Sequence, residues 1–458
     1  MFIGRESELK SLEDRYINGD FEFICIYGRR RVGKTELIKE FIKNKKTIFF
    51  TGLEDTKAEN LAALSHITHE ILYNTGSKVV FDSFNDIFKA IYEYAQSERL
   101  ILVIDEFPYL ARSYPGISSL IQVEIDHKLK NTDIFIILCG SSMSFMETQV
   151  MGHKSPLYGR RTGQIKVLPF DFETSKKFFN HGSNTDKAVL YGITGGIAKY
   201  LQLFKNNINL DDNIKENFFS SDRILFEEPM NLLNQELRKP ALYNSIITAV
   251  ATGSSKVNEI VTKTGLGSDI CVKYLKNLIE LGIIVKEIPI FDKANSKRCI
   301  YLLNDGMFRF WYRYVYKNIS KIQLGLGNQV YDEIKEQIPD FMGEVFEKIC
   351  LEYMWKAKLP FVASKIGRWW GNNPIKKAQQ EIDIIAVNND NTKAVYCECK
   401  WRNEKTSENV VDNLIEKASM FNHKEKYYYV FSMSGFTKST INKATENDNI
   451  KLINFSDM

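Results

Sequence analysis

The sequence predicts an α/β protein in which a parallel sheet, a helical segment, a small helix-and-hairpin domain and a mixed α/β domain follow one another. Short apolar runs alternate with longer amphipathic stretches from residue 21 onward, which is the pattern of repeated βαβ units. Residues 236–320 give three helical stretches and then two strands, and residues 331–458 return to mixed strands and helices. At about 150 residues per domain, a chain of 458 residues is long enough for roughly three domains.

Four apolar runs supply the strands of the first domain. They are FEFICIYG, KTIFFTG, LILVIDE and DIFIILCG. The first, third and fourth are rich in Ile, Leu and Val, as parallel strands covered on both faces are. Residues 53–76 and 118–131 are predicted to be helices between strands. We expect the core domain to occupy residues 1–170 and a mainly helical segment to occupy residues 171–235.

The three helical stretches and two strands of residues 236–320 have the order of a winged helix. Its third helix would enter a DNA groove or lie along the backbone, with Lys273 and Lys276 on its polar face. Residues 251–330 carry 12 Lys and Arg against 6 Asp and Glu, which favours DNA as the partner. The alternative is a module for packing or for binding protein. The stretch FRFWYRYVYKN is expected to be a helix that forms the hinge into the last domain.

The composition is that of a soluble globular protein, with 44% hydrophobic and 26% charged residues. We find no apolar run near 18 residues and no leader pattern, so we expect no membrane span or signal peptide. Seven cysteines without a framework spacing indicate a reducing compartment, and we expect a cytoplasmic protein. A net charge of +4 is too small to establish a nucleic-acid partner by itself.

The stretch GRRRVGKT, which follows the first strand and opens a helix, fits the phosphate-binding pattern G-x-x-x-x-G-K-[ST]. Glycines let backbone N–H groups surround a phosphate, and the helix N-terminus adds positive potential. Lys34 would reach the β- and γ-phosphates of ATP, and Thr35 would hold Mg²⁺. The predicted nucleotide-binding residues of this loop are Gly28, Arg29, Arg30, Arg31, Val32, Gly33, Lys34 and Thr35.

Two further strands end in polar residues that complete the expected ATP site. Asp105, at the end of LILVIDE, would reach the magnesium shell, and Glu106 would polarise the attacking water. Ser141 and Ser142 follow the strand FIILCG and could sense the γ-phosphate or that water. Simple helix capping is the alternative for these two serines.

The stretch EIDIIAVNNDNTKAVYCECKW, from residue 381, gives two strands around a polar turn but carries charges inside both strands. A turn centred on its Asp-Asn pair places Asp383 opposite Glu398 and Glu381 opposite Lys400. Because side chains alternate along a strand, all four would project from one face. Opposed carboxylates repel one another, and a divalent cation is the usual remedy.

Oxygen ligands favour Mg²⁺ or Mn²⁺ at this hairpin. Lys400 could then orient or deprotonate an attacking water and steady a phosphate. The alternative is a structural ladder of ion pairs without a metal ion.

Beyond these sites, the chain resembles the archaeal-type ATPases of the AAA+/STAND group that carry a C-terminal nuclease-like domain. The resemblance rests on FIGRESELKSLE, YGRRRVGKTELI, VIDEFPYL, CGSSMSFM, SPLYGRRTGQI and TGGIAKYL, and it covers nearly the whole chain. It implies that residues 2–5 border the adenine and that Arg160 or Arg161 is an arginine finger acting on a neighbouring subunit of a homo-oligomer. It also implies that GGIAKYL is the motif of a helical lid, where the family usually has Pro in place of Ala198.

The last domain is similar to the PD-(D/E)XK nucleases, whose core starts with a helical glutamate. Glu347 in MGEVFEKICLEYM takes that place, and Asp383, Glu398 and Lys400 match the remaining motif positions. The resemblance therefore implies a restriction-endonuclease-like domain over residues 331–458, with Glu347, Asp383 and Glu398 as metal ligands. An inactive nuclease fold is the alternative.

Together these features predict an ATP- and Mg²⁺-dependent ATPase that binds DNA and positions a metal-dependent nuclease-like domain. The competing hypothesis is an ATP-controlled switch whose last two domains bind without cutting.

Overall fold

The computed structural model describes residues 2–74, 79–373 and 377–458, so the end of the helix predicted over residues 53–76 lies outside the described residues. The chain divides into two compact units. Unit 1 contains residues 1–170 and 197–199, and unit 2 contains residues 171–196 and 200–458. Among the described residues, no helix combines the length and the apolar composition that crossing a bilayer requires.

Unit 1 is built on a parallel sheet whose described strands have the order β2-β3-β4-β1-β5. All four predicted strands are confirmed, and β1, β3 and β4 are buried at every position. The sequence did not indicate β5, because an edge strand with alternating burial carries little apolar signal. The strands are β1 (Glu22–Tyr27), β2 (Thr47–Thr51), β3 (Ile101–Asp105), β4 (Phe135–Gly140) and β5 (Gly163–Lys166).

Helices connect these parallel strands, so the carboxyl ends of β1, β3 and β4 meet at one edge of the sheet. Their apolar faces pack with the central strands in one large core. The helices of this part of the chain are α1 (Glu6–Asn18), α2 (Lys34–Phe41), α3 (Lys57–Tyr73), α4 (Phe84–Ala95), α5 (Phe107–Ser113), α6 (Ile117–His127) and α7 (Met143–Phe145).

The part of the chain after residue 170 is helical, as predicted, up to a short antiparallel hairpin. Its elements are α8 (Phe172–Ser175), α9 (Asn184–Thr194), α10 (Ala198–Leu201), α11 (Leu210–Phe218), α12 (Ile224–Glu236), α13 (Pro240–Ala251), α14 (Val257–Thr264), α15 (Ser268–Glu280), β6 (Ile284–Glu287) and β7 (Ile300–Leu303). The helices α13 to α15 and the hairpin β6–β7 follow the predicted order, and their identity as a winged helix stays a prediction.

The aromatic stretch that was expected to be a hinge is instead part of the core of unit 2. It runs from α16 (Gly306–Phe310) into a wider helical turn over residues 311–315. Trp311, Tyr312 and Tyr314 are each at most 2% exposed. The indole N–H of Trp311 also donates to the carbonyl of Phe226 at 2.7 Å. A segment buried on this scale is a packing element, because moving it would expose several aromatic rings.

The last domain is a mixed sheet with the order β12-β11-β10-β9-β8 among its described strands. The strands β8, β9 and β10 are antiparallel neighbours, whereas β10, β11 and β12 are parallel. The elements are α17 (Ile319–Gln323), α18 (Gly327–Ile334), α19 (Ile338–Lys356), β8 (Lys365–Asn373), β9 (Ala378–Val387), β10 (Lys393–Lys400), α20 (Glu408–Ser419), β11 (Glu425–Ser432), α21 (Lys438–Thr445) and β12 (Ile450–Asn454).

The predicted register of the acidic hairpin is confirmed over its central part. Ala394 pairs with Val387 and Cys397 pairs with Ile384, as a turn at the Asp-Asn pair requires. The register of β8 against β9 shifts between Gly367 and Trp369, which places a bulge at Asp383 and its neighbour Ile384. A bulge bends its strand and changes the direction of nearby side chains.

The turn between β6 and β7 lies against strand β8. The backbone N–H of Ile290 donates to the carbonyl of Arg368 at 2.9 Å. The indole N–H of Trp370 donates to the carbonyl of Arg298 at 3.1 Å, and the Arg298 guanidinium returns a hydrogen bond to the carbonyl of Trp370 at 3.2 Å. Ile290 also belongs to the apolar core of the last domain. The hairpin and the C-terminal sheet are therefore packed together within unit 2.

Candidate functional site

The loop of residues 28–35 connects β1 to the first turn of α2 at the carboxyl edge of the sheet. Gly28 cannot be replaced without moving the backbone, because an added Cβ would lie 2.3 Å from the carbonyl oxygen of Val167. Gly33 precedes α2 with a left-handed φ of 96°, and the described residues give this helix no side-chain cap. The N–H groups of its first turn are therefore available to an anion.

Lys34 lies across this loop. Its ammonium donates to the carbonyl of Arg29 at 2.9 Å, and the residue is 6% exposed. Burial lowers the pKa of Lys34, because the charged form loses its hydration. A negatively charged phosphate beside this ammonium would stabilise its charged form and offset the lost hydration.

Thr35 and Asp105 meet as the predicted magnesium site requires. The Thr35 hydroxyl donates to Asp105 Oδ2 at 2.8 Å, and Asp105 Oδ1 accepts the backbone N–H of Glu106 at 2.9 Å. Asp105 is 4% exposed, so a hydroxyl and a carboxylate are fixed together at the base of the loop. These oxygen donors fit Mg²⁺, which takes few protein ligands and completes its shell with water and phosphate.

Glu106 is held by Ser141. Its Oε2 atom accepts the Ser141 hydroxyl at 3.0 Å and the Ser141 backbone N–H at 3.4 Å. Glu106 itself has a φ of 46°, an uncommon value for a residue with a side chain and one typical of functional positions. Ser141 therefore positions the carboxylate that was predicted to polarise water. The capping alternative fails for Ser142, since α7 has no side-chain cap within the described residues.

Arg5 contacts the phosphate loop in a way that the sequence did not reveal. Its guanidinium donates to the carbonyl of Val32 at 2.9 Å and to that of Leu168 at 2.6 Å, and it stacks on the ring of Phe170 at 4.0 Å. The resemblance placed residues 2–5 beside the adenine. The contacts add that Arg5 fixes the backbone of the phosphate loop, for which the sequence holds no local signal.

Residues 197–199 of the predicted lid motif belong to unit 1 and touch the same loop. The backbone N–H of Lys199 donates to the carbonyl of Arg31 at 3.1 Å. A Cβ placed on Gly33 would lie 3.6 Å from that of Ala198, which is ordinary contact distance. Ala198 thus lies beside Gly33 of the loop, at the position where the resemblance led us to expect proline.

Both candidate arginine fingers are engaged inside unit 1. Arg160 forms a two-pronged pair with Asp126, at 3.0 and 2.8 Å, and also donates to the carbonyl of Tyr158. Arg161 donates to the carbonyl of Met151 at 3.1 Å. A role for either residue on a neighbouring subunit stays a prediction.

The acidic hairpin of the last domain has one more lysine beside its carboxylates than the sequence predicted. Asp383 and Glu398 are each 8% exposed, and Asp383 Oδ2 accepts the backbone N–H of Cys399 at 2.8 Å. Glu398 Oε1 lies 2.5 Å from the ammonium of Lys400, and its Oε2 lies 3.0 Å from that of Lys417 on α20. The sequence did not reveal the role of Lys417, because the pattern of residues 381–401 does not indicate which helix covers them.

Glu381 does not pair with Lys400, and this expectation was wrong. Glu381 accepts a hydrogen bond from Arg368 of β8 at 2.8 Å, and Lys400 pairs with Glu398 on its own strand. The bulge at Asp383 is the physical reason, because it interrupts the strict alternation on which the expected pairing depended.

Two carboxyl groups of this region resist ionisation. Burial, with the charge of Glu398 added, raises the pKa of Asp383 to about 6. Burial, with the charge of Asp383 added, raises the pKa of Glu347 to about 8. Burial by itself would lower the pKa of Lys400, but the adjacent Glu398 carboxylate outweighs it and raises that pKa. Perturbed groups of this kind concentrate at functional sites.

The predicted metal ligands do not form a metal site in this arrangement. No three His, Cys, Asp or Glu side chains of the described residues form a group that could hold a metal ion. The charge of Arg368 lowers the pKa of Glu347, and the charge of Glu381 raises it. Both oxygens of Glu398 are paired with lysine ammonium groups. The site as arranged therefore does not fit a divalent ion, in contrast to the pair of Thr35 and Asp105.

A cavity of about 280 Å³ opens beside Glu398. Among its lining residues are Gln380, Glu398, Lys400, Arg402, Asn413 and Lys417. The lining also includes Glu416, so the cavity carries three cationic side chains and two carboxylates.

Comparisons with known proteins agree with the nucleotide site. Residues 2–204 match an ATPase domain predominantly from Archaea, and residues 311–411 match a family described as Archaea bacterial proteins of unknown function. The Walker-type ATPase PABY2304 of Pyrococcus abyssi shares the fold, with a TM-score of 0.53 at 21% identity over 68% of this chain and 96% of that one. The chain is thus an α/β protein with an archaeal ATPase domain that binds and hydrolyses ATP, for which Mg²⁺ is the usual ion.

A relative that matches over nearly its whole length shows the family to which the chain belongs. The uncharacterized protein MJECL04 of Methanocaldococcus jannaschii is 33% identical over 438 residues, which are 94% of this chain and 95% of that protein. The chain belongs to the same family as this protein. The uncharacterized ATP-binding protein MJ0423 of the same organism is 52% identical over 46 residues, which are 10% of this chain and 78% of that protein.

Proposed function

We propose that this ATPase binds DNA through helices α13 to α15 and the hairpin β6–β7, and that it positions a nuclease-like C-terminal domain on that DNA. The observation that carries the proposal is the docking of the hairpin turn on β8, through Ile290 and Arg298. Because this contact joins the two domains, DNA held by the helices would have a defined position relative to the acidic hairpin. ATP binding and hydrolysis would control the placement of this pair of domains.

The face of α15 supports DNA as the partner. Lys273 and Lys276 are both exposed there, and Lys276 has only a loose ion pair with Glu280 at 3.9 Å. Two ammonium groups one turn apart match phosphate contacts, which supply most of the affinity of non-specific binding.

The residues of unit 1 account for the ATPase reaction. Lys34 and the first turn of α2 would hold the phosphates, and Thr35 with Asp105 would hold the magnesium ion. The ion supplies charge neutralisation at the transferred phosphate when it is bound. Glu106, fixed by Ser141, would orient the attacking water.

DNA binding is tested by the affinity for a short duplex, measured by fluorescence anisotropy at several salt concentrations. We expect affinity to fall steeply with salt, and the double reversal Lys273→Glu and Lys276→Glu to lower the salt slope by about 2, since each phosphate contact contributes about 0.9. The exposed lysines of the control, Lys424→Glu and Lys438→Glu, change the net charge equally. Affinity that ignores both salt and the α15 reversal would reject this interface.

Cleavage is tested with plasmid and single-stranded DNA in Mg²⁺ or Mn²⁺, with and without ATP. We expect Asp383→Ala to abolish any cutting and to leave ATP hydrolysis nearly intact, because Asp383 belongs to unit 2 and the ATP site to unit 1. A second candidate function is an ATP-controlled switch whose C-terminal domain binds without cutting. The two ammonium groups on Glu398 favour it, and wild type that cuts under none of these conditions would select it.

A further inference from the structure

One buried carboxylate, that of Glu398, holds two ammonium groups at once. Its Oε1 atom pairs with Lys400 at 2.5 Å and its Oε2 atom with Lys417 at 3.0 Å. The side chains of the two lysines are only 21% and 20% exposed, so little water screens these pairs. The negative charge of Glu398 is therefore already balanced by the chain itself.

The two lysines differ in how they are attached. Lys400 follows Glu398 by two residues on β10, so both side chains belong to the same face of one strand. Lys417 reaches Glu398 from the last turn of α20, through a long and flexible side chain. Both side chains are flexible, but Lys400 shares a strand face with Glu398 and stays beside it, whereas Lys417 belongs to a separate element.

Lys417 also has space to move into. It lines the 280 Å³ cavity beside Glu398, together with Asn413 and Gln380, whose side-chain amides can accept a hydrogen bond from an ammonium group. A cation that approached Glu398 through this cavity would come close to Lys417, and like charges repel strongly where water is scarce.

We propose that Lys417 is an internal counter-ion that occupies Glu398 in place of a divalent cation, and that it must leave before such a cation can bind there. The inference rests on the nuclease-like interpretation of the hairpin and deepens it, because it names the residue that closes the site to metal.

The test measures the binding of Mn²⁺ to the nucleotide-free full-length protein. Binding is measured by calorimetry and by the shift in melting temperature that Mn²⁺ causes. We expect Lys417→Met to bind Mn²⁺ at least about tenfold more tightly than wild type, which corresponds to about 1.4 kcal/mol. Lys417→Arg keeps the positive charge and should behave like wild type. The control Lys405→Met removes an exposed lysine and the same net charge, and should not change Mn²⁺ affinity.

A second variant assigns the gain to this site. Adding Asp383→Asn to Lys417→Met should remove the extra affinity, whereas a gain that persists would come from elsewhere, such as Thr35 and Asp105, and would overturn the inference. Equal Mn²⁺ affinity in wild type and Lys417→Met, or no binding by either, would also overturn it. Tighter binding by Lys417→Met without DNA cleavage by any variant would keep the inference and reject cleavage instead.

Discussion

Arg5 is the residue whose replacement tests the nucleotide site most directly. Arg5→Met keeps much of the apolar side-chain volume but removes the donors to the carbonyls of Val32 and Leu168. Each hydrogen bond from a charged group contributes about 1.5–3 kcal/mol, and the stacking on Phe170 adds about 0.5–2 kcal/mol. Since Arg5 is only 8% exposed, water cannot readily replace these contacts.

We therefore expect Arg5→Met to lower the free energy of unfolding of unit 1 by at least about 3 kcal/mol. For a unit of this size, that loss lowers the melting temperature by roughly 6–12 °C. Because Val32 belongs to the phosphate loop, ATP affinity should fall as well. If ordering the loop costs about 1.4 kcal/mol more in the variant, the affinity falls about tenfold. Calorimetry and thermal melts measure the two effects on the same samples.

Two further variants make the result interpretable. Arg112→Met removes an exposed arginine of α5 and should change stability by less than about 0.5 kcal/mol. Arg5→Lys keeps the charge but lacks the forked donors, so it should fall between wild type and Arg5→Met. If Arg5→Met melted like wild type and bound ATP equally well, the assignment of Arg5 to the phosphate loop would be refuted.

Three more outcomes follow from the same contacts. Lys34→Ala should abolish ATP binding in calorimetry, because it removes the ammonium that lies across the loop. Glu106→Gln should bind ATP normally but lose at least about 100-fold in turnover, measured as phosphate release, and normal turnover would contradict its role. Burial lowers the pKa of His423, whose Nδ1 atom is 2.5 Å from the Tyr396 hydroxyl, so the unfolded chain takes up a proton below about pH 6.5 more readily than the native one. Below about pH 6.5, wild type should therefore lose stability in urea relative to His423→Gln, and equal stabilities of the two proteins at every pH would contradict this role of His423.

The residues predicted for the ATP site lie together in the structure, and local patterns of the sequence were enough to place them. The loop of residues 28–35 and Ser141 each follow a strand, and Asp105 ends one. An apolar run predicts each of these strands, and parallel strands bring their carboxyl ends together. The register of the acidic hairpin was equally accessible, since a short turn fixes which residues pair. These features depend on neighbours in the chain.

The contacts that the sequence did not reveal join distant parts of the chain. Arg5 meets Leu168, and Lys417 meets Glu398, but neither partner is marked by spacing or composition. The bulge at Asp383 depends on β8, a strand from outside the hairpin, so strict alternation placed Glu381 incorrectly. The buried aromatic stretch was taken for a hinge because its own composition cannot show which helices cover it.

The docking of the hairpin turn on β8 has a consequence for how the protein behaves in solution. In the described part of its sheet, β8 is one of the two edge strands, and such strands offer backbone groups to which another chain can pair. The turn occupies one of these groups, the carbonyl of Arg368, and also engages the carbonyl of Trp370. A movement of the turn away from β8 would uncover these two carbonyls, so the docking contact also protects this edge of the sheet from pairing with another chain.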